Sequence, residues 1–217
     1  MLVTSRSFDE YVAMFDLGRA ELSGRVLDCS AGASSFVAGA AGRGCAAVGV
    51  DPAYALDRRR LAELGRDDMR RGREIAFAHP DRFTWDWYGS AEARETLRMQ
   101  ALATFLPDLV MHSSRYVAGQ LPNLPFRDAA FDLALCSHLL FTWADELGRG
   151  WHAAALRELA RVAREVRVFP IVLQGRGEPV PFWDELMADL AAVGLTTQVR
   201  QVAYEFQLGA NRMLVVR

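Results

Sequence analysis

The chain is predicted to fold as an α/β protein with a doubly wound, mostly parallel sheet, and three observations carry that expectation. Short apolar runs alternate with helical stretches through most of its 217 residues. Two of those runs, 26–27 and 46–50, each stop at an acid (Asp28 and Asp51) with a turn of small residues and a helix between them. The chain closes on two strand-like runs, 196–206 and 212–216, joined by Gly209-Ala210-Asn211, a turn suited to an antiparallel hairpin. Alternation of strand and helix implies parallel strands with helices on both faces, and the final hairpin adds a strand running the other way.

The elements follow in order. Phe8 to Leu17 carries Phe8, Val12 and Phe15 on one face, with Tyr11 and Met14 beside them, which predicts a short N-terminal helix capping the domain within residues 1–24. The Rossmann-like core starts at Arg25, where Ser34 and Ser35 are placed to cap the first core helix. Residues 55–74 read as an arginine-rich helix, and Phe83, Trp85, Trp87 and Tyr88 form a dense aromatic cluster. Ser90 caps a helix with Leu97, Ala101, Leu102 and Phe105 on one stripe, and Pro107 is expected to stop it. Residues 65–113 therefore form a helical and aromatic insert in a single domain spanning 1–217.

Strands are expected at 116–120 and 131–137, separated by the turn chemistry of LPNLPFRDAA. A helix over 151–166 has Leu156, Leu159, Ala160 and Ala163 inward, with Arg157, Arg161 and Arg164 on a solvated face. A buried strand over 166–173 and a loop, QGRGEPVP, come next. Pro181 then opens a helix with Asp184 and Glu185 in its first turn, Leu186, Leu190 and Val193 inward, and Gly194 at its end. Seven strands result.

Composition narrows the function. Hydrophobic residues make up 51% of the chain and the net charge is −2, which supplies a core and argues against broad electrostatic binding of nucleic acid. The three cysteines, Cys29, Cys45 and Cys136, form no CxxC pair and sit in apolar contexts, as reduced thiols of a cytoplasmic protein do. No apolar run reaches membrane-spanning length, and Met1-Leu2-Val3-Thr4 begins no secretory signal, so no membrane partner is expected. No histidine pair has metal-ligand spacing, so no metal is expected.

The stretch RVLDCSAGASSFVAGAAGRGCAAVGVD, residues 25–51, has the strand–turn–helix–strand order of a nucleotide-type pocket. A small turn lets backbone approach a ligand, and free N–H groups at the helix start would face it. Asp51 stands where a carboxylate accepts both hydroxyls of a ribose diol. A ligand containing adenosine follows, although only Gly32 is kept of the three glycines usual at Ser30, Gly32 and Ser34. An ordinary βαβ unit that binds nothing is the competing reading of this segment.

From Arg25 to the C-terminus, less the insert, the chain resembles the class I S-adenosylmethionine-dependent methyltransferases. VLDCSAG is similar to that family's first motif and GVDP to its second-strand acid. GQLPNLPF followed by FDLALCSHLLF is similar to its third and fourth strands, and the terminal hairpin to its ending. The resemblance implies S-adenosylmethionine as cofactor. It implies that Asp28 orients the turn or reaches the methionine amino group, and that Ser30, Ala31 and Gly32 pass under the methionine moiety. Asp51, with Pro52 beside it, would take the ribose hydroxyls, Gln120 the adenine amino group and Leu121 the adenine face. Tyr11 and Met14 would fold over the cofactor, and Ser137 and His138 would line the pocket of methyl transfer.

His138 is the candidate catalytic base, with a structural histidine as the other reading, and His112 and His152 are weaker candidates. The fourth strand continues Cys136-Ser137-His138-Leu139, without the Asn/Asp-Pro-Pro-aromatic run of nucleobase amine methylation or a Pro-Cys nucleophile, so the expected acceptor is a small molecule and not nucleic acid. The aromatic cluster reads either as a lid or acceptor pocket, or as an anchor of the insert or a homodimer contact. The alternative function is a non-catalytic sensor or assembly protein that binds S-adenosylmethionine or S-adenosylhomocysteine. A nucleotide-binding oxidoreductase is disfavoured, because no residues remain for a substrate domain.

Overall fold

A computed structural model describes residues 2–173 and 178–217. The strands are β1 (Arg25–Cys29), β2 (Ala46–Val50), β3 (Tyr116–Val117), β4 (Phe131–Ser137), β5 (Ala163–Phe169), β6 (Thr197–Gln201) and β7 (Arg212–Val216). The helices are α1 (Phe8–Phe15), α2 (Phe36–Ala41), α3 (Arg58–Ala78), α4 (Ala91–Met111), α5 (Ala144–Val162) and α6 (Trp183–Ala191). One seven-stranded sheet has the order β3-β2-β1-β4-β5-β7-β6. Its pairs from β3 to β5 are parallel, and β7 runs antiparallel to both β5 and β6. The expected doubly wound sheet is present; β2 and β4 begin and end where the apolar runs do, and β1 runs on through Asp28 to Cys29.

Alternating side chains divide the core into two layers. Val26, Leu133, Leu135, Met213 and Val215 face a cluster that includes Phe15 and Phe36 of α1 and α2 and Phe105 of α4. Their neighbours Leu27, Ala134, Cys136, Val168 and Leu214 face Leu156, Leu159, Leu186 and Leu190 of α5 and α6. The period-2 pattern thus fixes which helices cover which face. Each fully buried Leu or Phe contributes about 1.5–3 kcal/mol by leaving water. The three cysteines are free and buried. Among the described residues no helix is long and apolar enough to cross a membrane.

Several boundaries differ from expectation: the strand expected over 116–120 is Tyr116–Val117, that over 166–173 is Ala163–Phe169, and the helix over 55–74 is Arg58–Ala78. Pro107 lies inside α4 instead of ending it. A mid-helix proline removes a hydrogen bond and crowds the preceding turn, at about 3 kcal/mol. Contacts beyond it hold the helix: Asp108 accepts from the Tyr116 hydroxyl at 2.6 Å and from Arg115 at 3.2 Å, and lies 2.8 Å from His112 Nδ1. The helix expected over 151–166 begins at Ala144, kinks at Gly148 and ends at Val162, because pairing of Ala163 with Phe131 of β4 takes the chain into the sheet. Arg161 consequently ties down the loop before β4, on Asp128 at 2.6 Å and the Phe126 carbonyl at 2.9 Å, and Arg164 lies in β5.

Val193, expected inward, is exposed, because it falls past the last turn of α6. The terminal strands pair as expected, but 202–211 joins them, a longer connection than a three-residue turn. Tyr204 of this connection is buried in the first core layer, and Phe206 packs against it. The loop expected at QGRGEPVP lies partly, at 174–177, outside the described residues.

Candidate active site

The carboxyl ends of the parallel strands open on a cavity of about 980 Å³. Its walls include Ser30, Ala31 and Gly32 after β1, and Asp51 and Pro52 after β2. Gln120 and Leu121 follow β3, Ser137 and His138 close β4, and Tyr11 comes from α1. Of the residues predicted for the site, Asp28 and Met14 alone stand outside this lining. Ligands enter open α/β sheets at this edge, where connections diverge to opposite faces.

Asp51 is set by its neighbours. Its Oδ2 accepts from the Gly32 N–H at 3.0 Å and its Oδ1 from the Ala53 N–H at 2.8 Å. Each oxygen keeps a lone pair for a further donor. Burial pushes the carboxyl pKa up, and the two backbone donors oppose that rise. Tyr54 donates to the Gly32 carbonyl at 2.9 Å, locking the turn from the other side.

The start of α2 departs from the sequence reading. Its N–H groups do not face a ligand: Ala33 donates to the Thr4 carbonyl at 3.1 Å and Ser35 to the Arg6 carbonyl at 2.8 Å. The chain preceding α1 lies across the helix start and uses the donors left over there. That closeness explains Gly32, whose φ is +56° and whose absent Cβ would stand 3.0 Å from the Thr4 oxygen. Ser30, where glycine is usual, takes a φ of +60° with a side chain in place. Ser35 does not cap α2 with its side chain, whereas the Ser34 hydroxyl accepts from the Phe36 N–H at 3.4 Å and donates to Asp28 at 2.8 Å.

Asp28 is fully buried beneath the turn and accepts from Ser34 and from the Tyr11 hydroxyl. Burial raises its pKa to about 7, against these two hydrogen bonds. This position fits the first of its two expected roles, orienting the turn. Met14, also fully buried, touches the site through Ser137, whose Oγ is 4.0 Å from the Met14 sulfur.

His138 sits just past β4 with a left-handed φ of +55°, its N–H donating to the Phe169 carbonyl at 2.7 Å. Strained backbone of this kind persists where surrounding structure enforces it. Nδ1 is 2.8 Å from Ser137 Oγ. Burial, then the positive charges of Arg6, Arg98 and Arg94, hold the imidazole well below its usual pKa, so it is neutral at pH 7. The two weaker candidates have other work. His152 accepts from the Phe141 N–H at 3.0 Å and lies 2.7 Å from the Gly148 carbonyl, bracing the α5 kink, and His112 sits on Asp108.

The aromatic cluster anchors the insert, one of its expected roles, and part of it reaches the cavity wall. Phe83 stacks on Phe206 at 4.7 Å, and Trp87 meets Tyr204 at 5.1 Å, anchoring the insert to the β6–β7 connection. Phe83, Trp85 and Phe206 also line the cavity. Below them lies a polar group that the sequence reading missed. Glu10 is fully buried and accepts from Arg98 at 2.9 Å, the Tyr88 hydroxyl at 2.6 Å and the Ser7 N–H at 2.7 Å. Burial alone would raise Glu10, but Arg98 and Arg6 outweigh it and lower its pKa. One signal was available: Arg98 falls within the apolar stripe of α4, three residues before Ala101 and four before Leu102, where a charge needs a buried partner.

The β3-β2-β1-β4-β5-β7-β6 sheet with its one antiparallel strand is the Rossmann-like fold of the class I methyltransferases, and the cavity lies over the ends of β1, β2 and β4. Residues 89–169 match the family model of a methyltransferase domain. By fold and by this match the chain is similar to the class I S-adenosylmethionine-dependent methyltransferases. An uncharacterised protein of Methanocaldococcus jannaschii is 29% identical over 217 residues, covering 100% of this chain and 96% of that protein. Among solved structures, magnesium protoporphyrin IX methyltransferase from Synechocystis PCC 6803 with bound SAM matches with a TM-score of 0.48 and 13% identity, over 96% of this chain and 76% of that one. A SAM-dependent methyltransferase from Aquifex aeolicus matches with a TM-score of 0.44 and 14% identity, over 95% and 90% of the two chains.

Proposed function

We propose that the protein binds S-adenosylmethionine in this cavity and transfers its methyl group to a small-molecule acceptor. The observation that carries the proposal is that Asp51 and His138, at the ends of β2 and β4, line one cavity of about 980 Å³. That volume accommodates a nucleoside-sized ligand together with a small acceptor.

The residues fit the cofactor by chemistry. Asp51, anchored through one lone pair on each oxygen, accepts the ribose hydroxyls with the others. Leu121 offers an apolar wall to the adenine, and the Gln120 amide oxygen accepts from its amino group. The Ser30-Ala31-Gly32 backbone bounds the methionine end, with Tyr11 above it, and Pro52 shapes the wall beside Asp51. When bound, S-adenosylmethionine supplies an electrophilic methyl on a sulfonium and departs as a neutral thioether, so the protein's task is positioning and removal of the acceptor's proton.

His138 performs that removal. In the tautomer that carries its proton on Nδ1, that proton goes to Ser137 Oγ at 2.8 Å and Nε2 is left as the basic nitrogen. As the acceptor's lone pair forms the new bond to carbon, its proton passes to Nε2 and then to solvent. The nearby arginines disfavour an imidazolium before the reaction, keeping the base form available.

Thermal denaturation with candidate ligands tests this reading. S-adenosylmethionine or S-adenosylhomocysteine at about 100 times its Kd is expected to add about 2.7 kcal/mol, a rise of about 5–11 °C in Tm. NAD is expected to leave Tm unchanged. Stabilisation by NAD alone would overturn the assignment in favour of a nucleotide oxidoreductase.

A further inference from the structure

The buried side-chain polar atoms left without a partner among the described residues are Ser5 Oγ, Arg94 Nε, Arg98 Nε and Thr142 Oγ1. All four belong to residues that line the one cavity. Ser5, Arg98 and Thr142 are each more than nine-tenths buried. Native interiors leave few such atoms unpaired, and a cluster around one cavity points to a polar ligand completing them.

The charge is also unbalanced. Glu10 answers Arg98 at 2.9 Å and Arg6 at 3.8 Å. Arg94, one turn before Arg98 on α4, pairs with no carboxylate among the described residues. Its guanidinium lies over the Phe206 ring at 4.4 Å and near the Tyr88 ring at 5.9 Å. Two aromatic faces hold its plane while its Nε has no acceptor. A largely desolvated arginine without a counter-ion is costly, and a carboxylate or phosphate accepting from it removes that cost.

Position separates this group from the cofactor end. Asp51, Pro52, Gln120 and Leu121 follow β2 and β3, on one side of the sheet order. Phe206 belongs to the β6–β7 connection on the opposite side, and His138 stands between them at the end of β4. Phe83 and Trp85 pack against Phe206, the ring under the Arg94 guanidinium, and all three line the cavity.

We propose that the methyl acceptor is a small apolar acid, whose carboxylate or phosphate is held by Arg94, with Arg98 behind it, while its body rests against Phe83, Trp85 and Phe206. This rests on the methyltransferase reading and specifies its acceptor. Arg94 is a binding residue here, and the methylated atom is set by its distance from the anion.

The test uses 4-hydroxybenzoate and phenyl phosphate, with 4-hydroxybenzamide and phenol as neutral counterparts. Binding is read by tryptophan fluorescence in the presence of saturating S-adenosylhomocysteine, since Trp85, Trp143 and Trp151 line the cavity. At least one acid is expected to bind wild type ten-fold or more tighter than its neutral counterpart. In Arg94→Met, which keeps an apolar stem over Phe206, that preference falls to two-fold or less, with S-adenosylhomocysteine affinity within two-fold of wild type. Tighter binding of benzoate than of the phosphate, or the reverse, identifies which anion the site takes. Acids that bind wild type no tighter than their neutral counterparts, no binding by any of the four, or an undiminished preference in Arg94→Met overturns the proposal. Loss of S-adenosylhomocysteine binding by wild type would instead overturn the cofactor reading beneath it.

Discussion

The hydroxyl of Tyr11 donates to Asp28 Oδ1 at 2.9 Å, a buried bond that joins the N-terminal helix to the end of β1 directly beneath the turn at Gly32. It makes the cap over the pocket and the floor of the pocket one unit. Tyr11→Phe is expected to lower stability by about 1–2 kcal/mol in urea unfolding, the cost of removing one buried bond to a carboxyl. An unchanged midpoint would show that α1 is held by packing alone.

Asp28 also predicts a pH dependence. Its folded pKa is raised from 3.8 to about 7, so the unfolded chain loses this proton first and stability falls as pH rises from about 4 to 7. Three pKa units set an upper bound of about 4 kcal/mol. In Asp28→Asn that fall disappears, and the variant gains on wild type as pH rises through this window. Urea titrations at pH 5 and pH 8 measure it. Equal differences between the two proteins at both pH values would contradict the raised pKa.

His138 has the opposite sign. Its folded pKa is held well below 6.5 by burial and by Arg6, Arg98 and Arg94. The unfolded chain therefore takes a proton that the folded one refuses, and acidification below pH 6.5 costs stability. By NMR its Cε1–H resonance is expected not to titrate between pH 6 and 8. A midpoint near 6.5 would remove the argument that the imidazole is neutral before reaction.

Glu10 balances the arginine group from below, fully buried with Arg98 at 2.9 Å. Glu10→Ala leaves Arg98 buried and uncompensated, and is expected to cost about 3–5 kcal/mol of stability. A loss under 1 kcal/mol in urea unfolding would show that water or another acceptor already serves Arg98.

Much of this architecture is legible in the sequence, for physical reasons that can be named. The ends of β2 and β4 follow the apolar runs because a central parallel strand is buried on both faces, whereas β1 runs on through the fully buried Asp28 to Cys29. Ser90 caps α4 as its spacing predicts. Tertiary contacts account for the rest. Pro107 is a helix breaker by local rules, and α4 continues past it where Asp108 is held by Tyr116 and Arg115 and Leu109 packs on the core. The donors at the start of α2 were expected to be free, because nothing in residues 3–6 announces that this segment crosses them. Arg94 looks like one more surface arginine until Phe206, more than a hundred residues away, is brought over its guanidinium.

The most direct test of the central claim is calorimetric titration of S-adenosylhomocysteine into wild type and Asp51→Asn, with the fold of the variant checked by circular dichroism. Micromolar binding by wild type and a loss of at least ten-fold in the variant are expected, since one charged acceptor of the ribose hydroxyls is gone. Absence of binding by folded wild type, or equal affinity in the two proteins, would contradict that claim.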